Sequence, residues 1–137
     1  MTVETVEISI STRGKDAVED LTPQIDQILR RSRLRSGMIH IFVPGSTAAI
    51  TTIEFEPGLV ADFAEAIRRL IPEDFDYRHN RIDDNGHSHI RASLLGPSIT
   101  VPFSEGRLML GTWQQVVLVD SDVRPRRRRV IIQLLGE

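Results

Sequence analysis

The C-terminal third of the chain limits the fold most strongly, because it is a succession of short strand patterns separated by turn residues. Ser98–Pro102 alternates in side-chain character, Glu105-Gly106 forms a turn, and Arg107–Leu110 continues as a strand. Two apolar segments rich in β-branched residues, Gln115–Asp120 and Val130–Leu135, complete the series. The sequence therefore predicts β structure over most of this third.

Three further strands are predicted before residue 56. Val3–Ile10 alternates partially and runs into a turn, and Met38–Val43 is apolar enough for a buried strand. Ala49–Phe55 is rich in β-branched residues. His40 stands alone among apolar residues of the second strand, so we interpret it as a structural or surface histidine.

Helix signals occur at three places. Thr22-Pro23 is typical of a helix start, with Thr22 as the N-cap, and Gly37 is the predicted C-cap of that helix. A second helix begins at Pro57-Gly58 and ends before Pro72, since its apolar residues recur at helical spacing. Ile90, Leu94 and Leu95 predict a short third helix that ends at Gly96-Pro97, with Asn85 or His87 near its start.

Length and charge restrict the class of protein. The chain has 137 residues, which predicts one domain over residues 1–137. Seventeen basic and nineteen acidic residues leave a net charge of -2, which favours neither nucleic acid nor a membrane surface. There is no cysteine, leader pattern or membrane-spanning apolar stretch, so we expect a cytoplasmic protein.

The segment Tyr77–His89 is the first candidate for function, because it holds three of the four histidines and two adjacent aspartates. If a helix starts near Asn85, its free N–H groups and Arg91 form an anion site beside His87. If the backbone is instead extended, His87 and His89 point to one side and share a metal with His79. A third interpretation is that the histidines are structural residues of a polar surface loop.

Other polar features lie outside this segment. Gly45-Ser46-Thr47 offers hydroxyls and a close backbone approach, and Gly111–Gln114 adds an indole that can stack on a ring. Glu54, near the end of the predicted strand Ala49–Phe55, is either an ordinary exposed carboxylate or a functional one. The Arg126–Arg129 run fits nucleic acid or phosphate, but we favour an edge turn kept soluble by arginines, or pairing with acids of a neighbouring subunit.

Four segments together carry a family resemblance: Gly45–Glu54, Asp84–His89, Leu94–Ser98 and Gly106–Gln114. They resemble the YjbQ-like family, whose members are also described as secondary thiamine-phosphate synthases. The resemblance covers nearly the whole chain from Met38 onward. Many members have a histidine where this chain has Gly45-Ser46, so a role for that histidine does not carry over.

The resemblance implies an α+β fold, with largely antiparallel β-sheets packed with two main helices and one short helix, and a homotrimer. It also implies an enzyme with weak or secondary thiamine-phosphate synthase activity. This transferase would join hydroxymethylpyrimidine diphosphate to a thiazole phosphate and release diphosphate. Its partner is therefore a small phosphorylated substrate.

The resemblance also implies roles for individual residues. The expected catalytic residues are Glu54, His79, Asp84, His87 and His89. The expected substrate-binding residues are Ser46, Thr47, Asn85, Arg91, Gly111, Thr112, Trp113 and Gln114. In this hypothesis Arg91 and the two later histidines bind phosphate, Asp84 holds a histidine tautomer or magnesium, and Trp113 stacks on a heteroaromatic ring.

Two alternatives belong to other classes. In the first, His79, His87 and His89 hold zinc in a metal-dependent hydrolase or lyase. In the second, the same residues form a non-catalytic binding module for a phosphorylated metabolite. Magnesium or zinc is thus the expected cofactor, and no organic cofactor is expected. We expect neither a membrane nor a nucleic-acid partner, since only Arg126–Arg129 supports the latter.

Overall fold

The computed structural model describes residues 1–137 and has an α+β fold, which confirms the predicted class. It contains two antiparallel sheets, three α-helices and one short 3-10 helix. The strands are β1 (Thr2–Thr12), β2 (Ala17–Asp20), β3 (Gly37–Phe42), β4 (Ala48–Ile53), β5 (Ser98–Ser104), β6 (Arg107–Leu108), β7 (Gln115–Asp120) and β8 (Arg126–Gly136). The α-helices are α1 (Thr22–Ser32), α2 (Pro57–Leu70) and α3 (Gly86–Leu95), and the 3-10 helix is Arg78–Arg81.

The two sheets share one hydrophobic core. The first sheet has five strands in the order β1-β8-β3-β5-β6, and the second has three in the order β2-β7-β4. Strand residues alternate between faces, so one face of each sheet supplies apolar side chains such as Ile41, Ile50 and Leu134. Ile25 and Leu29 of α1 close the same core, because they lie one helical turn apart.

The helices position the functional segments. Pro57 opens α2, where the Glu56 carboxylate accepts hydrogen bonds from the backbone N–H groups of Gly58 and Leu59 at 2.9 and 2.7 Å. Helix α3 packs on β4 and carries two of the histidines. None of the helices is both long enough and apolar enough to cross a membrane.

Several element boundaries differ from the predictions. Helix α1 ends at a left-handed Arg33, with φ of 63°, and Gly37 belongs to β3 instead of capping the helix. Helix α3, by contrast, begins at Gly86 with Asn85 as its N-cap and ends before Gly96, as predicted. Strand β2 was not predicted, and β6 has only two residues. Each shift reflects contacts made by distant parts of the chain, which local patterns do not contain.

The arginine run is not an edge turn. Arg126–Arg129 opens β8, which lies between β1 and β3 inside the five-stranded sheet. Arg128 is buried and makes two hydrogen bonds of 2.8 Å to the Asp120 carboxylate, which raise the pKa of Arg128. Arg126 binds Asp122 at 2.8 Å. The chain's own aspartates therefore neutralise the inward-facing arginines.

Candidate functional site

The start of α3 is fixed by close packing against the 3-10 helix and the residue before it. The backbone N–H of Gly86 donates to Asn80 Oδ1 at 2.9 Å. A Cβ atom added to Gly86 would lie 2.7 Å from Tyr77 Cβ, closer than van der Waals contact allows. Glycine at this position therefore lets the helix begin directly beside Tyr77, just before the two histidines.

Helical geometry separates the histidines of α3. His87 and Arg91 are four residues apart, so they lie on one face of the helix, and both are 3% exposed. His89 follows His87 by two residues, which is a rotation of about 200° around the helix axis. The structure thus has the helical alternative, and His87 and His89 face different surroundings.

A polar cavity of about 450 Å³ lies beside His87, and we call it the His87 cavity. It is lined by Lys15, Asp16, Arg68, Pro72, Glu73, Asp74, His87, Arg91, Asp122 and Val123. Only one of these ten residues is hydrophobic. A cavity with such a lining suits a small, hydrophilic ligand.

His87 is held in its neutral form. Burial lowers the pKa of its imidazole, and the charge of Arg91 lowers that pKa further, against the opposing effects of Glu73, Asp16 and Asp84. His87 Nδ1 is buried and has no hydrogen-bond partner. An unpartnered buried N–H costs more than an unpartnered lone pair, so we infer that Nε2 carries the proton.

His87 Nε2 points toward an exposed carboxylate. It lies 4.0 Å from Glu73 Oε1 and 3.5 Å from Ser88 Oγ. The Glu73 side chain is 75% exposed, so its carboxylate is solvated and free to approach a ligand in the cavity. The His87 imidazole thus offers a neutral N–H donor, and the Glu73 carboxylate offers a proton acceptor.

Arg91 is already committed to the protein. Its Nη1 binds Asp16 Oδ2 at 2.7 Å, and its Nε and Nη2 donate to the Ile71 carbonyl at 3.1 and 2.8 Å. The pair joins the turn before β2 to the end of α2, and both side chains are almost fully buried. Arg91 therefore shapes the cavity, and fewer of its guanidinium N–H groups remain to bind a phosphate.

The other two predicted histidines lie together elsewhere. The rings of His79 and His89 meet edge to face with centroids 4.6 Å apart, and His79 Nε2 lies 3.1 Å from Asn85 Oδ1. They line an exposed cleft with Phe75, Tyr77 and Ile90. His87 faces the separate His87 cavity, so the three imidazoles do not converge.

The side chains present do not fit a metal centre. No three or more histidine, aspartate or glutamate residues are arranged to hold an ion. Asp84, the predicted magnesium ligand, is exposed and pairs with Arg124 at 3.3 Å. The expected magnesium or zinc stays a prediction.

The hydroxyl groups before β4 have different environments. Ser46 is exposed and borders a small cleft with His89. Thr47 is buried, donates to Asp122 Oδ2 at 3.1 Å and accepts from Arg128 Nη2 at 2.7 Å. Although burial opposes it, hydrogen bonds from Val123, Thr47 and Arg126 hold the pKa of Asp122 below its usual value. Thr47 therefore stabilises the wall of the His87 cavity.

The remaining predicted residues lie at the far end of β4. Its six residues span about 17 Å, with Ala48 beside His89 and Glu54 beyond the opposite end. Gln114 donates to Thr52 near that end, and Trp113 is 73% exposed. Within one chain, Glu54 and the Gly111–Gln114 segment therefore lie far from the histidines.

Of the residues that line the His87 cavity, only His87 and Arg91 were predicted as site residues from the sequence. Asp16, Lys15 and Glu73 lie in turns, where polar residues are ordinary. Asp16 meets Arg91 across 75 positions of sequence. Its φ of 66° is a left-handed conformation that aspartate tolerates, but nothing local predicts its burial.

Comparisons with known proteins agree over almost the whole chain. A family model described as "UPF0047 protein YjbQ-like" matches residues 6–137. A UPF0047 protein of Archaeoglobus fulgidus is 35% identical over 130 residues, which are 95% of this chain and 100% of that protein. One of Methanothermobacter thermautotrophicus is 37% identical over 137 residues, which are 100% of this chain and 95% of that protein.

Solved structures have the same fold. A YbjQ-like protein of unknown function from Sulfolobus solfataricus has a TM-score of 0.96 and 38% identity, with 99% of each chain covered. A hypothetical protein from Aeropyrum pernix has a TM-score of 0.93 and 35% identity, with 98% of this chain and 99% of that one covered.

These relatives overturn the predicted activity. They are described as UPF0047 proteins, or as a protein of unknown function, and none of the descriptions indicates a thiamine-phosphate synthase. The predicted thiamine-phosphate synthase activity is therefore wrong. The two alternatives, a metal-dependent hydrolase or lyase and a binding module for a phosphorylated metabolite, have no support either.

Proposed function

This chain belongs to the YjbQ-like UPF0047 family, and from the geometry of its His87 cavity we propose that it is an acid–base enzyme acting on a small anionic carbonyl compound. The observation that carries the proposal is the neutral, buried His87, whose Nε2 faces the solvated Glu73 carboxylate. Groups whose protonation states differ in this way are suited to complementary roles in proton transfer.

Glu73 is the proposed base. Its carboxylate takes a proton from the carbon next to the substrate carbonyl, and the electrons of that C–H bond form a carbon–carbon double bond. The carbonyl π electrons move to oxygen, which accepts a hydrogen bond from His87 Nε2 as it becomes negative. Return of the proton to the same carbon restores the carbonyl compound and regenerates the Glu73 carboxylate.

The cations at the cavity wall supply binding energy. Lys15 and Arg68 line the cavity, and neither forms an ion pair with a carboxylate of the chain. Unpaired cations favour a substrate with its own anion, such as a carboxylate or phosphate group. The cavity volume of about 450 Å³ suits a molecule of metabolite size.

Deuterium exchange tests this chemistry without knowledge of the product. The protein is incubated in D₂O with a panel of small carboxylated and phosphorylated carbonyl compounds, and loss of the α-proton signal is followed by NMR. We expect exchange with at least one compound, and a decrease of about 100-fold or more for Glu73→Gln, since the base is removed. His87→Gln should also slow exchange.

Asp74→Asn is the matched control, because Asp74 lines the same cavity and has no hydrogen bond to His87. It should retain most of the exchange rate. The proposal is wrong if the wild type exchanges no compound of the panel, or if Glu73→Gln exchanges as fast as the wild type while remaining folded by circular dichroism.

The functional unit in this proposal is the homotrimer. Support comes from the number of large apolar side chains that a single chain leaves in solvent, including Leu94 at 71% and Trp113 at 73% exposure. Light scattering after gel filtration tests it, with an expected mass three times the 15.5 kDa of one chain.

A further inference from the structure

The chain has two asparagines, Asn80 in the 3-10 helix and Asn85 directly before α3. Asn85 is followed by Gly86, and asparagine is chemically least stable when glycine follows it. The backbone nitrogen of the next residue attacks the side-chain amide carbon, and glycine has no side chain that hinders this approach. The sequence therefore contains one intrinsically reactive amide.

The packing of the fold requires the glycine of this pair. A Cβ atom at residue 86 would lie 2.7 Å from Tyr77 Cβ and 2.8 Å from Asn80 Oδ1, and both distances are shorter than a Cβ contact allows. The contact between α3 and the 3-10 helix thus excludes a larger residue, which would slow the attack. With glycine fixed at this position, the reactivity of Asn85 depends on the folded structure.

Residues of the 3-10 helix occupy both reacting groups. The Gly86 N–H donates to Asn80 Oδ1 at 2.9 Å, so a base from solvent does not reach this proton. Asn85 Oδ1 lies 3.1 Å from His79 Nε2, and because an amide oxygen can only accept, His79 is the donor. The Asn85 side chain makes no capping bond to α3 and is 4% exposed. In the folded chain the nucleophile and the amide are therefore held apart and shielded from water.

Helix α3 adds a second restraint on Asn85. The Asn85 carbonyl accepts hydrogen bonds from the backbone N–H groups of Ser88 and His89 at 3.0 and 3.3 Å. Attack by the next nitrogen closes a five-membered ring, which turns the Asn85 backbone and takes this carbonyl away from both donors. The reaction therefore requires the first turn of α3 to open.

The 3-10 helix is an easily opened restraint. None of its residues, Arg78–Arg81, is buried. A segment with few buried contacts lies at the low-stability end of a structure, because its opening exposes little apolar surface. When this helix leaves α3, Asn80 releases the Gly86 N–H and His79 releases the Asn85 amide in the same step.

We propose that Asn85-Gly86 is a self-modification site that the 3-10 helix holds closed and that reacts when this helix opens. The Gly86 nitrogen loses its proton to a base in solvent and forms a bond to Asn85 Cγ. The bond from Cγ to Nδ2 breaks, and Nδ2 takes up a proton and leaves as ammonia. Water then adds to one carbonyl carbon of the ring and breaks its bond to nitrogen, which leaves aspartate or isoaspartate at position 85.

The modification changes the candidate site permanently. Isoaspartate places one extra carbon in the main chain before Gly86, which is packed against Tyr77. A new carboxylate also stands beside Asp84 in the sequence. The start of α3 therefore does not return to its original position, and His87 is displaced from the His87 cavity. A brief opening of an exposed segment becomes an irreversible change, whatever reaction the cavity performs.

Peptide mapping of the full chain tests the proposal. The wild type is incubated in its folded state and in guanidinium chloride, at one pH and temperature, and is then digested with trypsin. The peptide Ile82–Arg91 contains Asn85 as its only asparagine, so conversion of an amide to an acid in its mass spectrum reports on that residue. We expect Asn85 to convert at least about tenfold faster in the unfolded chain.

Two substitutions at position 80 test the restraint within the folded protein. Asn80→Ala removes the acceptor of the Gly86 N–H and should make Asn85 convert about 3- to 10-fold faster than in the folded wild type, the effect of one hydrogen bond. Asn80→Asp is the matched control, because it keeps an acceptor oxygen and should convert like the wild type. Circular dichroism establishes that both variants are folded.

A denaturant series covers the case in which Asn80→Ala does not fold. In the wild type, conversion of Asn85 should accelerate at guanidinium concentrations below those that change the circular dichroism signal, because the 3-10 helix opens before the sheets do. The inference is overturned by conversion that follows only global unfolding, by equal conversion in the folded and unfolded wild type, or by an unreactive unfolded chain. A folded Asn80→Ala that converts as slowly as the wild type also overturns it.

Discussion

Replacement of Arg91 by leucine should destabilise the protein strongly, because it leaves a buried carboxylate without its partner. The side chains of Arg91 and Asp16 are 4% and 2% exposed, and their atoms are 2.7 Å apart. Removal of one member of a buried ion pair costs about 3–5 kcal/mol. The Ile71 carbonyl also loses both of its donors from Arg91.

The expected loss corresponds to a large change in melting temperature. For a chain of this length, 1 kcal/mol shifts the melting temperature by about 4 °C, so Arg91→Leu should melt about 12–20 °C below the wild type. Calorimetry or urea unfolding measures the change, and all proteins are compared at one concentration, because the proposed association would contribute to stability. Arg69→Leu is the control, since the Arg69–Glu65 pair is exposed and should contribute almost nothing.

A second substitution separates the charge effect from loss of packing. Asn at position 16 keeps the shape of the side chain and tolerates the left-handed backbone, with φ of 66°. The double variant Asp16→Asn, Arg91→Leu should therefore be more stable than Arg91→Leu alone, because no buried charge remains. Equal stabilities of these two variants, or a loss below about 1 kcal/mol for Arg91→Leu, would refute the electrostatic reasoning.

Two further predictions follow from the titration of His87 and from the arginine run. The pKa of His87 in the folded protein lies below the ordinary value of 6.5, so on acidification the unfolded chain takes up a proton at this residue first. The stability of the fold should therefore decrease as the pH drops below about 6.5. His87→Gln should weaken this pH dependence, as measured by melting curves at pH 7.5 and 5.5. Arg128→Lys should cost about 1.5–3 kcal/mol in urea unfolding, because lysine does not reproduce the two hydrogen bonds to Asp120, whereas exposed Arg127→Lys should unfold like the wild type. Equal stabilities of the two lysine variants would contradict this account.

The strands and helices were largely predictable, because their signals are local. Pro57 marks the start of α2, and alternating side chains mark β5 in the sequence itself. The beginning of β8 was missed because inward and outward positions are both arginine there, so the alternation is hidden. Asp120 of β7 and Asp122 in the following turn explain why arginine can face inward, and which arginine each of them binds depends on the pairing of the strands.

The candidate site was predictable only in part. The spacing of His87 and Arg91 allowed a helical face, and the structure has that face. The sequence did not reveal that Asp16 completes it from 75 positions away, nor that Glu73 approaches the imidazole. Contacts between separate turns depend on how the sheets pack, and no local pattern encodes that arrangement.

Helix α3 presents His87 to the His87 cavity and His89 to the exposed cleft, and this restricts how the length of the helix can vary. Loss of one residue inside the helix would rotate all later side chains by about 100°. Arg91 would then leave Asp16 and the end of α2. The residue count from Gly86 to Arg91 is therefore fixed, because it places His87 and Arg91 at the His87 cavity and His89 at the exposed cleft.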